Sequence, residues 1–441
     1  MPQGSRIGPL LFIIFINDIA NEIESEMLIF ADDTTLLASG IDPAETSAQP
    51  NRDLTKISAW AQTWKVTFNA KKSKDMIFSN QCLNNSPPLF FNGVTVDRVN
   101  KHKHLGVIFQ SNLDWSSQIH ETCIKANGKL SVLRSVKMLR RKTLDLLYKV
   151  TVRSVVDYAL PIYGNNLKQT ELSRLEQLQY RAAKVVTGAL HFTSRDKLNT
   201  ELGWETIKKR IEYLGLSIFH KIHIHETRPL IRQCLSKLDF DRQHYLRSKG
   251  GYTPYPNFGN KFLNSFFPYI SKIWNNLPLT TQSMNLLDFK SKLKSDLKPE
   301  KIKHYSTGPK ESNSLLTRLR TDRTNLNLHR FTIGQTDDPS CMCHANQESS
   351  EHFMLDCFLF TAERQTLFAQ VEQLIPRFPN LNKRDKFKIL ISGLNNDPDY
   401  YQTNKKLSLA VQSFILKTKR FSELYESPKV MLILVRNKLY C

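Results

Sequence analysis

Two adjacent acidic residues, Asp32 and Asp33, are the pair in this sequence best suited to bind a divalent cation. They separate two apolar stretches, 27–31 and 34–38, so the pattern predicts a hairpin with its tight turn at Asp32–Asp33 and with both faces buried. Like charges at one turn repel each other, and Mg²⁺ (or Mn²⁺) removes that cost because it takes carboxylate oxygens and substrate phosphates as ligands. An ordinary Asp-Asp turn is the alternative.

A polar loop at the start of the chain has the side chains and the flexibility to bind a nucleotide. Its glycine lets the backbone approach a base pair or a ribose closely, although turns before helices often have this composition. The candidate substrate-binding residues in this loop are Pro2, Gln3, Gly4, Ser5 and Arg6. The apolar stretch 10–19 that follows predicts a buried helix.

Three cysteines and a histidine near the C-terminus match the ligand types of a tetrahedral zinc site. Cys341 and Cys343 are only two residues apart, closer than the usual spacing of zinc ligands, and His352 and Cys357 follow. His344 is a possible substitute for one ligand. The alternative interpretation is a set of reduced thiols without metal.

Composition and charge restrict the class of protein. Hydrophobic residues make up 40% of the 441 residues, which is enough to form cores and excludes global disorder. No apolar run approaches the length of about 20 residues that a membrane helix needs, so we expect no membrane association. The formal charge is −6 for residues 1–60 and positive beyond them, for a total of +21. An acidic front followed by a basic body suits a nucleic-acid partner, with a lysine-rich surface as the alternative.

Hydrophobic periodicity predicts the elements that position these residues. Prolines 43 and 50 bracket a predicted linker, and residues 53–68 form an amphipathic helix. Strands are predicted at 75–79 and 104–109, and Asn92–Gly93 predicts a two-residue hairpin turn. Residues 115–224 are predicted to be helical, 225–260 to be a polar loop and 298–313 a charged linker. Further helices are predicted at 262–274, 286–297, 314–335 and 350–425.

The loop at 2–10 together with Phe30-Ala31-Asp32-Asp33 resembles the middle of a reverse transcriptase palm. The resemblance implies that Asp32 is the main ligand of the catalytic Mg²⁺ and Asp33 a supporting carboxylate. It implies that the loop residues Pro2–Arg6 and Phe30 lie near the incoming nucleotide. Phe30 stands where the family more often has tyrosine.

The resemblance continues along the chain. The turn containing Asn69, Lys72 and Ser73 is similar to the family's Asn-x-x-Lys turn, which implies that Lys72 protonates the departing pyrophosphate. A solvated lysine is the alternative. Leu105 and Gly106 are similar to the strand and turn that hold the primer end, with a plain edge hairpin as the alternative.

Later segments resemble non-LTR retrotransposons of the jockey-like sort. Segments around 175–182 and 274–278 are similar to their thumb and the helical region beyond it, and the Cys/His segment to their zinc-knuckle-like region. A basic cluster on the predicted thumb could follow a phosphate backbone, or could be a solvated helix face. Its residues are Arg134, Lys137, Arg140, Arg141 and Lys142.

The predicted fold is therefore α/β (α+β): a truncated reverse transcriptase palm followed by a mainly α-helical thumb and C-terminal region. The predicted regions are a partial palm at 1–114, a helical thumb or connection at 115–225, a linker with short helices at 226–310, and a helical C-terminal region at 311–441.

The function implied is that of an RNA-directed DNA polymerase domain. Its partners would be an RNA template, a DNA primer and dNTPs, its cofactors Mg²⁺ and possibly Zn²⁺, and its location nuclear or cytoplasmic. In the family a further aspartate comes from a strand upstream of the Pro-Gln-Gly loop, and we expect its absence here to leave the chain inactive alone. The alternatives are a non-catalytic nucleic-acid-binding remnant and a relic without a role.

Overall fold

A computed structural model describes residues 7–79, 86–225, 231, 259–297, 299, 302–395 and 398–421. The chain divides into two compact units, residues 1–120 and 121–441, called here the first and the second unit. Their secondary structure is mixed, with many helices and short β-strands, as expected. In the described ranges no helix is both long enough and apolar enough to cross a membrane.

The first unit combines two helices with short strands. The helices are α1 (Gly8–Ile16) and α2 (Pro43–Trp64), with a 3₁₀ turn at Asn17–Ala20. The strands are β1 (Glu26–Phe30), β2 (Asp33–Leu37), β3 (Lys74–Asp75), β4 (Phe90–Phe91), β5 (Val94–Thr95), β6 (Asp97–Arg98), β7 (Lys101–His104) and β8 (Val107–Gln110). Antiparallel pairs form between β1 and β2, β4 and β5, and β7 and β8, whereas β3 pairs with β6 in parallel.

Helix α1 forms where the sequence predicts a helix, but the prediction that it is buried is wrong for the first unit. Leu10, Leu11, Ile13 and Ile14 are exposed, and Phe12 and Ile16 pack against the core of this unit. The helix is apolar on every face, and only one face of a helix can meet a single core.

Helix α2 begins well before the predicted start, so the predicted linker between Pro43 and Pro50 is wrong. The Asp42 carboxylate caps the helix by accepting hydrogen bonds from the N–H groups of Ala44 (3.1 Å) and Glu45 (3.3 Å). Pro43 stands in the first turn, where a missing N–H costs nothing. Pro50 is buried within the helix. The helix ends at Trp64 rather than at Phe68, and Lys65, whose φ is +55°, is its C-cap.

Two hairpins show how far turn composition predicts β structure. The predicted turn at Asn92–Gly93 is confirmed, because both residues have positive φ (52° and 75°) between the paired strands β4 and β5. The predicted single strand at 104–109 is instead a hairpin of β7 and β8 that turns at Leu105–Gly106 (φ 46° and 80°). The predicted strand at 75–79 is limited to Lys74–Asp75.

The second unit is mainly helical in its described residues, as predicted. Helix α3 (Ser116–Ser135) begins in the first unit. The helices that follow are α4 (Arg141–Leu147), α5 (Ser154–Asp157), α6 (Leu160–Tyr163), α7 (Gln169–Thr187), α8 (Arg195–Leu202), α9 (Ile207–His225), α10 (Asn260–Leu263), α11 (Phe266–Asn275), α12 (Leu279–Gln282), α13 (Leu286–Leu297), α14 (Lys310–Arg320), α15 (Asn327–Thr332), α16 (Ser350–Leu355), α17 (Thr361–Leu374), α18 (Lys383–Ser392) and α19 (Tyr401–Lys417). A π-helix, Tyr148–Arg153, joins α4 to α5.

Two hydrophobic cores hold the later part of the second unit. Helices α9, α11 and α13 meet around Phe219, Trp274 and Phe289. Helices α14, α16, α17, α18 and α19 surround a second core that includes Phe353 and Phe414. Helix α14 starts at Lys310, inside the predicted linker 298–313, so that linker is shorter than predicted. Most of the predicted loop 225–260 lies outside the described residues.

A buried ion network connects α4, α8 and α14. The Glu201 carboxylate accepts hydrogen bonds from the guanidinium of Arg141 (2.8 Å) and from that of Arg320. Burial opposes the ionisation of Glu201, but Arg320 and Arg141 outweigh it and lower the pKa of this carboxyl to about 2. The network therefore ties a helix at 310–320 to helices more than a hundred positions earlier in the chain.

Candidate functional site

The acidic pair lies at the tip of the β1–β2 hairpin. Phe30 pairs with Asp33 as the last residues of the ladder, so the tight turn consists of Ala31 and Asp32. The hairpin is as predicted, but the turn is one residue earlier than the predicted Asp32–Asp33. Ala31 has a φ of 52°, a left-handed conformation that disfavours a side chain. The side chains of Asp32 and Asp33 are exposed, and so is Phe30 at 66%.

The hairpin is held from behind by the core of the first unit. Met27, Ile29 and Leu36 pack against that core, whereas Leu28 and Leu37 are exposed. The hairpin therefore has one packed face, and the prediction that both faces are buried is wrong in this unit.

A buried carboxylate on α2 fixes the backbone that leads into β1. Asp53 is 0% exposed and accepts hydrogen bonds from the N–H groups of Glu24 (2.9 Å) and Ser25 (2.8 Å). Asp53 is not among the functional residues predicted from the sequence. It lies on the buried stripe of α2 with Ile57 and Ala61, and a charged residue at such a position is a signal for a buried structural contact.

Two more polar contacts position the hairpin and the helices beside it. The hydroxyl of Thr35 on β2 lies 3.3 Å from Nε2 of His104 on β7, which connects the acidic hairpin to the hairpin that turns at Leu105–Gly106. The Trp60 indole N–H donates to the Asp18 carboxylate at 3.0 Å. Asp18 therefore anchors α2.

Lys72 lies in the turn after α2, with an exposed side chain. Its backbone N–H donates to the carbonyl oxygen (3.0 Å) and the side-chain oxygen (3.2 Å) of Asn69. No hydrogen bond or ion pair connects Lys72 to Asp32 or Asp33 in the described chain. No third metal-ligating side chain gathers around the two aspartates among the described residues. The loop Pro2–Arg6 lies outside those residues.

The predicted basic cluster loses one of its five members. Arg134, Lys137, Arg140 and Lys142 are exposed near the end of α3 and the start of α4. Arg141 is 4% exposed, and its guanidinium donates to Glu201, to the Tyr305 carbonyl (3.0 Å) and to other buried acceptors. Its prediction as a nucleic-acid contact is therefore wrong, because it sits on the inner face of α4 where Glu201 compensates its charge.

The four predicted zinc ligands lie together. The nearest ligand atoms of Cys341, Cys343, His352 and Cys357 are all within 4.8 Å of one another, and all four residues are buried. The Cys341 and Cys357 sulfurs are 3.6 Å apart, and the Cys343 sulfur lies 3.2 Å from His352 Nε2. Ligands at tetrahedral zinc distances lie roughly 3.5 to 3.8 Å apart, so this donor set fits that ion.

Local backbone geometry brings the closely spaced cysteines to one point. Ser340 and Gln347 form a β-bridge, and the Cys341 N–H donates to the Asn346 carbonyl at 2.9 Å, which closes a tight loop. His344 lies in this loop at a φ of 58° with an exposed side chain, outside the ligand group. His352 lies in α16. The Ser349 hydroxyl caps this helix by accepting a hydrogen bond from the backbone N–H of His352 at 3.0 Å.

Two buried charged residues that the sequence analysis missed support this group. Arg364 on α17 donates to the Met354 carbonyl (3.2 Å) and to the Cys357 carbonyl, which fixes the backbone of one ligand. Glu348 accepts a two-pronged contact from Arg420 (2.5 and 2.7 Å) and a hydrogen bond from the Asn327 N–H. In the sequence, the only indication of this supporting role is that each is a charged residue near the cysteines and the histidine.

The thiols differ in how easily they ionise. Burial raises the pKa of Cys341 to about 12 and also raises the pKa of Cys357. Burial acts in the same sense on Cys343, but the N–H groups of Ala345 and Asn346 and the neighbouring thiols outweigh it and lower its pKa. Three adjacent thiols cannot all become anions without a cation among them.

Comparisons with known proteins identify similar sequences. Residues 1–110 match the family described as reverse transcriptase (RNA-dependent DNA polymerase). The chain is 26% identical over 237 residues to the RNA-directed DNA polymerase from mobile element jockey of Drosophila funebris, which is 51% of this chain and 26% of that protein. It is 25% identical over 225 residues to the probable RNA-directed DNA polymerase from transposon BS of Drosophila melanogaster, which is 48% of this chain and 25% of that protein.

These relatives are much longer than the matched segment, which covers about a quarter of their length. No solved structure matches the chain significantly. The predicted resemblance is confirmed: residues 1–110 match the reverse transcriptase family, and about half of the chain is similar to RNA-directed DNA polymerases of mobile elements such as jockey.

Proposed function

We propose that the chain takes part in RNA-directed DNA synthesis and that Asp32 and Asp33 bind its divalent metal ion. The observation that carries the proposal is the hairpin tip, where two exposed carboxylates project from strands that are packed on the core and tied to Asp53. A site with this support holds its ligands in place, and a rigid site binds a metal more tightly than a flexible turn. In this proposal the first unit is the palm portion, and the helices at 115–225 are the thumb.

The residues around the hairpin have distinct proposed roles. A bound Mg²⁺ would neutralise charge on the nucleotide phosphates and help activate the primer hydroxyl. Asp32 supplies the main ligand and Asp33 a supporting one, while Phe30 and the loop Pro2–Arg6 contact the nucleotide. Lys72 donates a proton to the pyrophosphate. Leu105 and Gly106, at a hairpin turn joined to β2 by the Thr35–His104 contact, hold the primer end.

The proposed partners are an RNA template, a DNA primer and dNTPs. The exposed cations Arg134, Lys137, Arg140 and Lys142 would contact phosphates of the template and primer.

A primer-extension assay on the full chain, with Mn²⁺ binding measured by electron paramagnetic resonance, tests the metal site. Asp32→Asn removes the charged ligand and should abolish Mn²⁺ binding, together with any extension that the chain supports. Glu26→Gln is the matched control, because Glu26 is an exposed carboxylate at the far end of the same hairpin. Wild-type behaviour of Asp32→Asn in both assays would show that the hairpin is not the metal site.

The alternative function is nucleic-acid binding without polymerisation. It predicts salt-sensitive binding of RNA or DNA by the wild-type chain, with no extension under any metal. Extension by the wild-type chain that Asp32→Asn eliminates would exclude this alternative.

We also propose that Cys341, Cys343, His352 and Cys357 bind a structural Zn²⁺. All four donor atoms lie within 4.8 Å of one another, and no other His, Cys, Asp or Glu of the described residues joins the group. A closed set of this type holds the metal for stability rather than for catalysis. The ion would connect the tight loop at 340–347 to α16.

Metal analysis of the purified chain tests the zinc site. We expect about one zinc per chain, and Cys357→Ser should lose it together with thermal stability. Cys123→Ser is the matched control, because Cys123 is also a buried free cysteine but lies outside the group. Equal zinc content in the wild type and in Cys357→Ser would contradict the proposal.

A further inference from the structure

The solvent-facing side of α7 carries a row of cations. Arg174, Arg181 and Lys184 recur at intervals of seven and three residues, which places them on one side of the helix, while Leu175, Leu178 and Ala182 face the interior. From Arg174 to Lys184 this row extends about 15 Å along the helix axis at the usual rise per residue.

Three of the cations in this region repel each other. Lys184 is half-buried, and burial is the main cause that lowers its pKa. The positive charges of Arg134 on α3 and of Arg181 lower this pKa further. Within the described ranges no carboxylate forms an ion pair with Arg134, Arg181 or Lys184. Folding has thus brought like charges together, at an electrostatic cost that an anion would remove.

An aromatic side chain stands beside the cations. The ammonium of Lys184 lies 4.7 Å from the centre of the Tyr180 ring, and the guanidinium of Arg195 lies 5.7 Å from it. At the Arg195 end of this surface the carboxylates of Glu176 and Asp196 lie close by and offset the positive charge. The Lys184 end is therefore the part that remains positively charged.

A second aromatic residue projects from the loop that follows α7. Phe192 is 67% exposed, packs edge-on against His191 at 4.5 Å, and has a φ of 67°. A bulky residue in this conformation carries strain that the surrounding structure must support. Among the described residues Phe192 belongs to neither of the two cores around Trp274 and Phe353, and its ring lies in solvent.

The base of that loop is firmly held. The Gly188 carbonyl accepts a hydrogen bond from Arg318 (3.0 Å), and Lys310 donates to the carbonyls of Val185 (3.0 Å) and Val186. On the far side of Phe192 the buried Thr193 hydroxyl donates to the Leu190 carbonyl at 2.9 Å. The ring is thus presented on a braced loop.

From this arrangement we infer that α7 and the 188–194 loop form a binding surface for single-stranded nucleic acid, with phosphates at Arg134, Arg181 and Lys184 and a base stacked on Phe192. Cations that follow a backbone next to an exposed ring are the two elements of single-strand recognition, since every base offers a π face. The inference deepens the nucleic-acid binding proposed above and rests on it for the identity of the ligand.

Fluorescence anisotropy with short labelled oligonucleotides tests the cations. Arg181→Gln/Lys184→Gln should weaken single-strand binding at least tenfold and reduce the slope of log affinity against log salt by about 1.4. The matched control, Lys208→Gln/Lys209→Gln, removes the same charge from α9, where Glu212 compensates it. Equal losses in the two double variants would show a general charge effect and overturn the inference.

The aromatic contact has its own test. Phe192→Ala should weaken binding of single-stranded RNA and DNA about tenfold without changing the salt slope, and should leave duplex DNA binding unchanged. Phe192→Tyr should bind like the wild type. If Phe192→Ala affects duplex and single strand equally, or neither, the base-stacking role is wrong. The RNA and DNA arms show which sugar the surface prefers.

Crosslinking of the wild-type chain makes the test independent of the folding of any variant. Ultraviolet crosslinking to a thiouridine-containing single strand should label the peptide that contains Phe192, and labelling confined to other peptides would overturn the inference. Asp32→Asn separates this inference from the proposed metal site, because it should abolish Mn²⁺ binding and leave single-strand binding intact. Loss of Mn²⁺ binding in Asp32→Asn with no effect of Arg181→Gln/Lys184→Gln on single-strand binding would reject the surface alone.

Discussion

The carboxylate of Asp53 accepts a hydrogen bond of 2.8 Å from the backbone N–H of Ser25, although the two residues lie 28 positions apart. Asp53 is buried on α2, and Ser25 immediately precedes β1. A second hydrogen bond, from the Glu24 N–H, completes the set on this carboxylate. The contact fixes the strand that ends at Phe30, next to the turn that bears Asp32.

We therefore predict that Asp53→Asn weakens the first unit and its metal site together. The amide has one acceptor oxygen in place of two, so one buried N–H loses its partner, at a cost of about 1–3 kcal/mol in the free energy of unfolding. Mn²⁺ affinity should fall although Asp32 and Asp33 are unchanged. Urea denaturation and Mn²⁺ titration measure the two effects. Asp42→Asn is the control, because asparagine caps a helix as well as aspartate does.

The backbone conformation of Ala31 leads us to predict that glycine at this position stabilises the first unit. Its φ of 52° disfavours a Cβ, so Ala31→Gly should raise the free energy of unfolding of the first unit by about 1 kcal/mol. Ala59→Gly, on the exposed side of α2, should lower it by about 1 kcal/mol. Thermal denaturation compares the two variants, and the same sign of shift in both would refute the strained-turn interpretation.

The Glu201 network predicts a loss of stability in acid. Because the folded-state pKa of Glu201 lies near 2, below its unfolded value, its contribution is complete above about pH 5 and disappears as the pH falls toward 2. The loss should be about 3 kcal/mol. Urea unfolding followed by fluorescence across this pH range measures it, with the buried Trp204 as one reporter.

Substitution separates this network from other acid effects. Glu201→Gln should be less stable at pH 7 by about 3–5 kcal/mol, since it leaves Arg141 and Arg320 uncompensated, and should show a flatter pH dependence. Glu311→Gln, exposed at the start of α14, should behave like the wild type. An unchanged pH profile in Glu201→Gln would mean that other carboxyls control the acid transition.

We predict that zinc affinity depends on Arg364, although this residue does not bind the metal. Its guanidinium holds the Cys357 carbonyl, so Arg364→Ala should lower zinc affinity about tenfold while leaving all four ligands in place. Chelator competition and the absorption spectrum of the cobalt-substituted chain measure affinity and ligand geometry separately. Arg377→Ala, at an exposed position, should have no effect. A cobalt spectrum that loses a thiolate in Arg364→Ala would instead show that the site is dismantled.

Local chemistry explains what the sequence by itself determined. The turn at Asn92–Gly93 follows from residues that accept positive φ, and helix 286–297 from its apolar period. The acidic hairpin follows from two apolar stretches around Asp32 and Asp33. The zinc ligands were predicted from side-chain type alone, because few groups other than thiols and imidazoles form such a set.

Tertiary structure alone decided which charged residues are buried. Arg141 belongs to a basic run, and only Glu201 and Arg320, which are distant in sequence, convert it into an internal residue. In the same way, the buried role of Asp53 depends on its hydrogen bond from Ser25. The exposure of α1 depends on how little of the helix surface the rest of the first unit covers. Burial depends on what the rest of the chain brings to a side chain, whereas turns and periodicity depend on neighbouring residues, so the sequence determined the elements and the tertiary structure determined their polar contacts.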